Sequence, residues 1–556
     1  MASRQQVSLN CPFDQSQRTD IRTQTGYSSR RVPGQEPDRL HHLKARQETM
    51  RKEVMETTTF LSDRIPSGAI PMAQNGHSTA SRRRGSRMKL FKILGFLLAL
   101  AVVQRVQAQT GTQTATVNWT TTYQTIQGFG AGNMFAGSAM NPYDNLLFNT
   151  LGYSLLRSAV PIGNGQCDGS PSASCANGQD SVTDMQSCVA NGCSVWAYVS
   201  NPPGEYNNSG SYACTAVPAL NVGDYAPFAT YVTNYIASLR TYEGVPLYAV
   251  SVQNEPDPVA GGCQMSASGI DTFVKTNLFP TMSSAGQTAT KIMLPETGSY
   301  GQLTSLAGTC MADSACANDV GLIAYHQYDN PSSPTDPYST PLWETEVTDC
   351  CGNAIPVGCS DSTWCNTITD ALFWAQFADT AMVNGNSAWH YFEYVDPDTF
   401  DGSNSNDALI NPAQSPAISI RTYAIANWAK FVRPGWVRIG ATHVPQSSVM
   451  VTAFKSPATG GNFAIVAINT NSSDTAIAFS LSGFPTSVSS VTPWTTSSTL
   501  SLAQQTNTAV SGGGFTYTLP ANSVTTFVGS ATTAAAAPSA PAAPAPPAGL
   551  TATVIQ

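Results

Sequence analysis

Between residues 128 and 429 the chain alternates short apolar runs with longer polar or helix-compatible stretches, the pattern of repeated strand–helix units around a parallel sheet. Eight runs stand out: 127–130, 155–160, 194–199, 247–255, 291–296, 322–328, 342–346 and 388–394. Most begin apolar and end in polar or aromatic residues. That bias predicts an α/β fold, a (β/α)8 TIM barrel over residues 127–431, because such a barrel assembles its site at the C-terminal ends of its strands. The Thr-rich alternation of residues 110–126 predicts one more strand. After residue 431 the chain turns to Val, Thr, Ser and Gly in short runs at 449–454, 463–469 and 515–528. These predict an attached antiparallel β-sandwich side domain made of residues 109–126 and 432–531.

The two ends of the 556-residue chain break this pattern. Residues 88–108 open on a basic start, continue with the apolar run from Ile93 to Val103 and close on Val106-Gln107-Ala108, which predicts a secretory signal peptide. The run is shorter than the ~20 residues a bilayer span needs, so no stable membrane anchor is expected. Residues 1–87, rich in Arg, Gln, Ser and Thr, read as a disordered leader ahead of a true start at Met88. Residues 532–547 are an Ala/Pro linker, and residues 548–556 resemble the first strand of a truncated accessory module.

Charge divides along the same line. Residues 109–556 hold only 9 of the 27 basic residues but 27 of the 35 acidic ones. That balance disfavours nucleic acid and anionic membranes as partners. The signal peptide predicts a secreted protein, and a monomer is expected. Twelve of the 13 cysteines fall between Cys167 and Cys365, an even number that fits disulfides in an exported protein. Metal sites are disfavoured, since neither these cysteines nor His326, His390 and His443 show ligand spacing, and no cofactor is expected.

Two strand ends carry paired carboxylates: Val252-Gln253-Asn254-Glu255-Pro256-Asp257 on the fourth and Trp343-Glu344-Thr345-Glu346 on the seventh. Glycoside hydrolysis needs one carboxylic acid to protonate the leaving oxygen and a second to attack the anomeric carbon or activate water. Asn254 could bind a sugar hydroxyl beside the reacting centre. Glu344 and Glu346 share a strand face, so spacing leaves the choice between them open. Glu296 also ends a strand and is read as part of a charge network; Glu393 reads as a buried carboxylate satisfied by His390 or the backbone. Arg157 could pair with a carboxylate and keep it ionised. His326 and Tyr328 end the sixth strand, and Trp196 and Trp389 are candidate platforms for stacking a sugar ring.

The Ile126-Gln127-Gly128-Phe129-Gly130 opening, the Asn-Glu-Pro and Thr-Glu motifs, and the run Lys430-Phe431-Val432-Arg433-Pro434-Gly435 leading into a β-domain resemble, in this order, glycoside hydrolase family 30. The resemblance covers residues 120–530. It implies a retaining mechanism with Glu255 as acid/base and Glu346 as nucleophile, a Tyr hydroxyl near the nucleophile, and a polysaccharide substrate. The segment Ser251 to Asp257 looks most like the family's xylanase branch, which implies cleavage of β-1,4-xylosidic bonds. Some members of that branch recognise a glucuronate branch through a basic residue on a late loop. This chain has no Lys or Arg between Lys291 and Arg421, so glucuronate pairing is not expected. The alternatives are a β-1,6-glucanase or glucosylceramidase-like hydrolase of the same family, or a non-catalytic carbohydrate-binding protein. A binding protein has no use for the carboxylate pair.

Overall fold

In the computed structural model the described residues are 112–531, apart from 135, 179, 208–218, 259–262, 329–336, 349–358, 360–363, 398–406 and 458–460. The leader, signal peptide, linker and accessory segment expected from the sequence lie outside them.

Strand β1 (Gln113–Thr125) precedes eight strands that form a ring: β2 (Gly128–Gly132), β3 (Leu155–Ala159), β4 (Ser194–Tyr198), β5 (Leu247–Ser251), β6 (Lys291–Thr297), β7 (Val320–His326), β8 (Leu342–Glu346) and β9 (Ala388–Val395). Each apolar run marked in the sequence holds one of them. Neighbours are parallel throughout, and the β8–β9 and β9–β2 pairings close the barrel. A short strand, β10 (Ala408–Ile410), adds to β9. The fourth run extends to Glu255 in the sequence but leaves the ladder after Ser251, and Glu255 takes a left-handed backbone (φ 47°).

Period-2 alternation sorts the strands' side chains into two cores. Leu155, Trp196, Tyr198, Ala249, Met293, Leu322, Ala324, Trp343, Ala388 and Phe392 fill the barrel interior. Their neighbours Leu156, Val195, Val250, Ile292, Ile323, Leu342 and Trp389 meet the surrounding helices, among them Val182–Ala190, Tyr225–Ser238, Ile368–Val383 and Ile420–Ala429. The glycines of β2 allow close strand approach: a Cβ on Gly130 would lie 2.5 Å from the Leu155 carbonyl oxygen.

The side domain is a ten-stranded sheet containing β1, β11 (Val437–Ala441), β12 (Val449–Lys455), β13 (Asn462–Asn469), β14 (Thr475–Ser482), β15 (Ser490–Thr496), β16 (Ala503–Gln504), β17 (Thr508–Ala509), β18 (Gly514–Leu519) and β19 (Ser523–Ser530). It departs from pure antiparallel pairing at β1 and β14, which run parallel. Val491 of β15 and Phe515 of β18, from opposite ends of the strand order, share one core with Ala115, Ile465, Phe479 and Phe527, so the sheet folds over on itself as a sandwich. The helix Ile368–Val383 joins sandwich to barrel: its buried Asp379 accepts hydrogen bonds from Thr452 (3.0 Å) and the His443 ring (2.7 Å).

Candidate active site

Arg157 is the centre of the cluster at the C-terminal end of the barrel. Its position two residues after Leu155 on β3 turns it inward, where it is 1% exposed. One guanidinium serves three partners: Nη1 donates to Glu346 Oε2 (2.5 Å), Nη2 to Asn254 Oδ1 (2.5 Å) and to Glu296 Oε1 (2.9 Å), and Nε to Glu296 Oε1 (3.2 Å). Its flat face lies 3.9 Å from the Tyr198 ring centroid. The planar fork suits this many-sided contact in a way a Lys ammonium would not.

The carboxylates reach this centre through irregular backbone. Glu255 (φ 47°) and Glu296 (φ 55°) both lie in the left-handed region, which non-glycine residues seldom adopt. Glu255 N–H donates to the Glu296 carbonyl (2.9 Å), so the two turns brace each other. A register shift between β7 and β8 falls between Glu344 and Glu346. It gives these two carboxylates different surroundings, which sequence spacing alone left open. Glu346 meets Arg157 and accepts from the Tyr328 hydroxyl (3.0 Å). The oxygens of Glu344 accept the backbone N–H groups of Glu346 (3.0 Å) and His390 (2.9 Å).

His326 lies among three carboxylates. Its Nδ1 is 2.8 Å from Glu255 Oε1 and 3.7 Å from Glu346 Oε1, and its Nε2 is 3.6 Å from Glu296 Oε1. Burial opposes its charge, but Glu346, Glu255 and Glu296 together raise its pKa to about 10, so it is an imidazolium at neutral pH. The same balance holds Arg157 charged: burial works against it, and Glu346 and Glu296 outweigh burial. Burial also pushes the Glu296 carboxyl up, yet Arg157 and His326 reverse this and its pKa is lowered. For Glu346 burial wins, and its pKa is raised against the pull of His326 and Arg157. Glu344 is pushed up to about 8 by burial and is neutral below that pH.

One oxygen or nitrogen from each of Glu255, His326 and Glu346 lies within 4.8 Å of the others. A protonated imidazole has no lone pair to offer a cation, and Arg157 adds a second positive charge beside Glu346. This donor set suits carboxylate chemistry better than metal ligation.

Six of the eight residues singled out from the sequence therefore meet in one cluster: Glu255, Glu346, Asn254, Arg157, His326 and Tyr328. Trp196 and Trp389 depart from the expected sugar platform. Both are fully buried. Trp389 faces the outer helices because the interior positions of β9 are its neighbours Ala388 and His390. Trp196 points into the barrel, but below the mouth; it meets Trp343 edge-on and donates from Nε1 to His390 Nε2 (3.1 Å). His390 is bound by Trp196 and the Glu344 carbonyl rather than by Glu393, and burial lowers its pKa to about 3. Tyr198, which stacks on Arg157, was not singled out from the sequence. Its signal was there, two residues after Trp196 on the same strand face.

Comparison with known proteins bears on this arrangement. Residues 435–527 match the family model described as the glycosyl hydrolase family 30 beta sandwich domain. Glucuronoxylanase XynC of Bacillus subtilis strain 168 is 30% identical over 436 residues, covering 74% of this chain and 91% of that protein. The glycoside hydrolase family 30 subfamily 8 xylanase Xyn30A of Clostridium acetobutylicum superposes with a TM-score of 0.63 at 27% identity, covering 75% of this chain and 99% of that one. A family 30 endoxylanase of Clostridium papyrosolvens C71 gives 0.61 at 28% identity, covering 75% of this chain and all of that one. A closed parallel barrel carrying a β-sandwich, with carboxylates gathered at its strand ends, defines an O-glycosyl hydrolase. The chain belongs to glycoside hydrolase family 30.

Proposed function

We propose that this protein is a secreted, retaining endo-β-1,4-xylanase working by double displacement. The observation that carries the reading is the short gap between Glu255 and Glu346, whose nearest oxygens lie within 4.8 Å. Retention calls for carboxyl groups ~5–5.5 Å apart, whereas inversion needs ~6.5–9.5 Å to admit a water between carboxylate and sugar.

The two roles follow from the surroundings. Glu346 is held from two sides by Arg157 and Tyr328, as suits a nucleophile that must present a fixed carboxylate oxygen to the anomeric carbon. Glu255 keeps 16% of its side chain exposed, with His326 at 2.8 Å, as suits a group that must reach the leaving oxygen of a bound sugar. In the first step Glu346 bonds to the anomeric carbon while Glu255 gives its proton to the departing sugar oxygen. In the second, Glu255 takes a proton from water, the water oxygen bonds to the same carbon, and Glu346 leaves. Asn254, fixed by Arg157, is placed to hydrogen-bond a hydroxyl of the reacting sugar.

Xylan is proposed as substrate because the relatives above are named as xylanases or a glucuronoxylanase. The loops that follow β6, β7, β8 and β9 hold no Lys or Arg, since none occurs between Lys291 and Arg421. The proposed enzyme therefore cleaves xylan without a glucuronate anchor. Export is supported by four disulfides between described cysteines: Cys167–Cys175, Cys188–Cys193, Cys310–Cys316 and Cys359–Cys365. Among the described residues no helix is long and apolar enough to cross a membrane.

The test is product release from linear xylan, glucuronoxylan and β-1,6-glucan, with Glu346→Gln as control and NMR of the first-formed anomer. Xylo-oligosaccharides of retained configuration from both xylans, lost in the variant, are expected. Cleavage of glucuronoxylan alone would refute the missing anchor, release from β-1,6-glucan would change the substrate, and an inverted product would refute the mechanism.

A further inference from the structure

Glu296 has no exposed surface and cannot touch a sugar, yet both proposed reacting carboxylates depend on it. The chain goes out of its way to bring it there. On β6, Met293 faces the barrel interior while Ile292 and Leu294 face the helices, so strict alternation would send the side chain of residue 296 outward. A register shift between Pro295 and Thr297, together with the left-handed backbone of Glu296, turns it inward instead. Strained backbone of this kind persists where its surroundings over-determine it, and it concentrates at functional sites.

Its contacts divide between main chain and side chain. The Glu296 carbonyl receives the N–H of Glu255 at 2.9 Å and so braces the second left-handed turn, the one that aims Glu255. Its Oε1 receives Arg157 Nη2 and Nε at 2.9 and 3.2 Å, and the remaining Arg157 nitrogen is thereby presented to Glu346. We propose that Glu296 is a positioning residue that couples the two reacting carboxylates, aiming Glu255 through its backbone and holding Arg157 against Glu346 through its side chain. This rests on the assignment of Glu255 and Glu346 given above.

Charge is as much a part of the device as shape. The ionisable side chains that act on Glu296 are Arg157 of β3, Tyr198 of β4, His326 of β7, Glu346 of β8 and His390 of β9, while Glu255 after β5 meets it through the backbone. Among them Arg157 and His326 are cationic, and Glu296 is paired directly with Arg157 and lies 3.6 Å from the His326 ring. Removing the Glu296 charge leaves an excess positive charge. Glu346 then stays ionised to lower pH, and His326 gives up its proton more easily.

The experiment compares the full-length protein with Glu296→Gln and Glu296→Asp on linear xylan across pH. For Glu296→Gln, kcat is expected to fall at least 10-fold with KM within about twofold, and the acid limb of the pH profile moves to lower pH as Glu346 loses a neighbouring negative charge. Glu296→Asp keeps the charge, so its acid limb stays at the wild-type position while kcat falls through the shortened reach to Arg157. NMR titration of the His326 ring gives the downward shift in Glu296→Gln without substrate. A wild-type acid limb in Glu296→Gln, whether or not kcat falls, would overturn the proposal and leave Glu296 a packing residue. If Glu296→Gln loses its near-UV circular dichroism, Glu296→Asp decides: wild-type kcat there overturns the proposal. Activity retained by Glu255→Gln or Glu346→Gln would instead sink the assignment of those two residues. If both are inactive and Glu296→Gln is unchanged, only the present inference fails.

Discussion

Replacing Arg157 by Lys keeps a positive charge in the barrel mouth and removes the geometry. The guanidinium makes four hydrogen bonds to the oxygens of three side chains, all less than one-tenth exposed, and a fifth to the Met134 sulfur. A single ammonium cannot reach Glu346, Asn254 and Glu296 at once from the end of a different stem. At least two of these bonds go unmade. Hydrogen bonds to charged groups are each worth about 1.5–3 kcal/mol, so the loss is about 3–6 kcal/mol, in line with the ~3–5 kcal/mol for breaking a buried ion pair. Urea unfolding at pH 6, followed by tryptophan fluorescence, measures it directly. Activity supplies the second reading. Burial already raises the Glu346 pKa and Arg157 opposes this, so a poorer partner lets it rise further. A nucleophile that must be ionised then loses activity at a higher pH as the solution is acidified, and the acid limb of kcat/KM shifts upward. A stability loss below about 1 kcal/mol with an unmoved acid limb would refute the view of Arg157 as the organising group.

Two further outcomes follow from the same structure. Burial raises Asp184 to about 7, with the neighbouring Asp144 charge adding to it, and raises Asp144 to about 6. Carboxyls that hold protons longer when folded contribute stability that is full at acid pH and is lost as pH rises through those folded values; Tm should fall between about pH 4 and 7, and Asp184→Asn should flatten that fall, an unchanged slope counting against the burial argument. Trp196→Ala should cost about 3–5 kcal/mol, as for a fully buried Trp, and disturb His390. A raised KM for xylan with unchanged stability would restore Trp196 as a sugar platform.

Local chemistry made much of this molecule readable. A β-strand's preference for branched and aromatic residues and its two-residue period are properties of short segments, so all eight barrel strands stood out, as did the change to sandwich composition after residue 431. The apolar-to-polar drift along most of the runs showed which end of the barrel carries the chemistry. From it, Glu255, Arg157 and His326 could be named before their contacts were known, whereas Glu346 was separated from Glu344 only by the family resemblance. Other features depended on partners far away in the chain. Whether a side chain faces the barrel axis or the helices is set by ladder register, and for that reason Trp389 lies outside while Arg157 lies inside. Glu344 and Glu346 differ because the ladder slips between them, and Glu296 turns inward because its backbone adopts a conformation that no residue type announced. Arg157 and Glu346 are 189 residues apart. The charge state of His326 is set by carboxylates from three different strand ends, so only closure of the barrel could create that field.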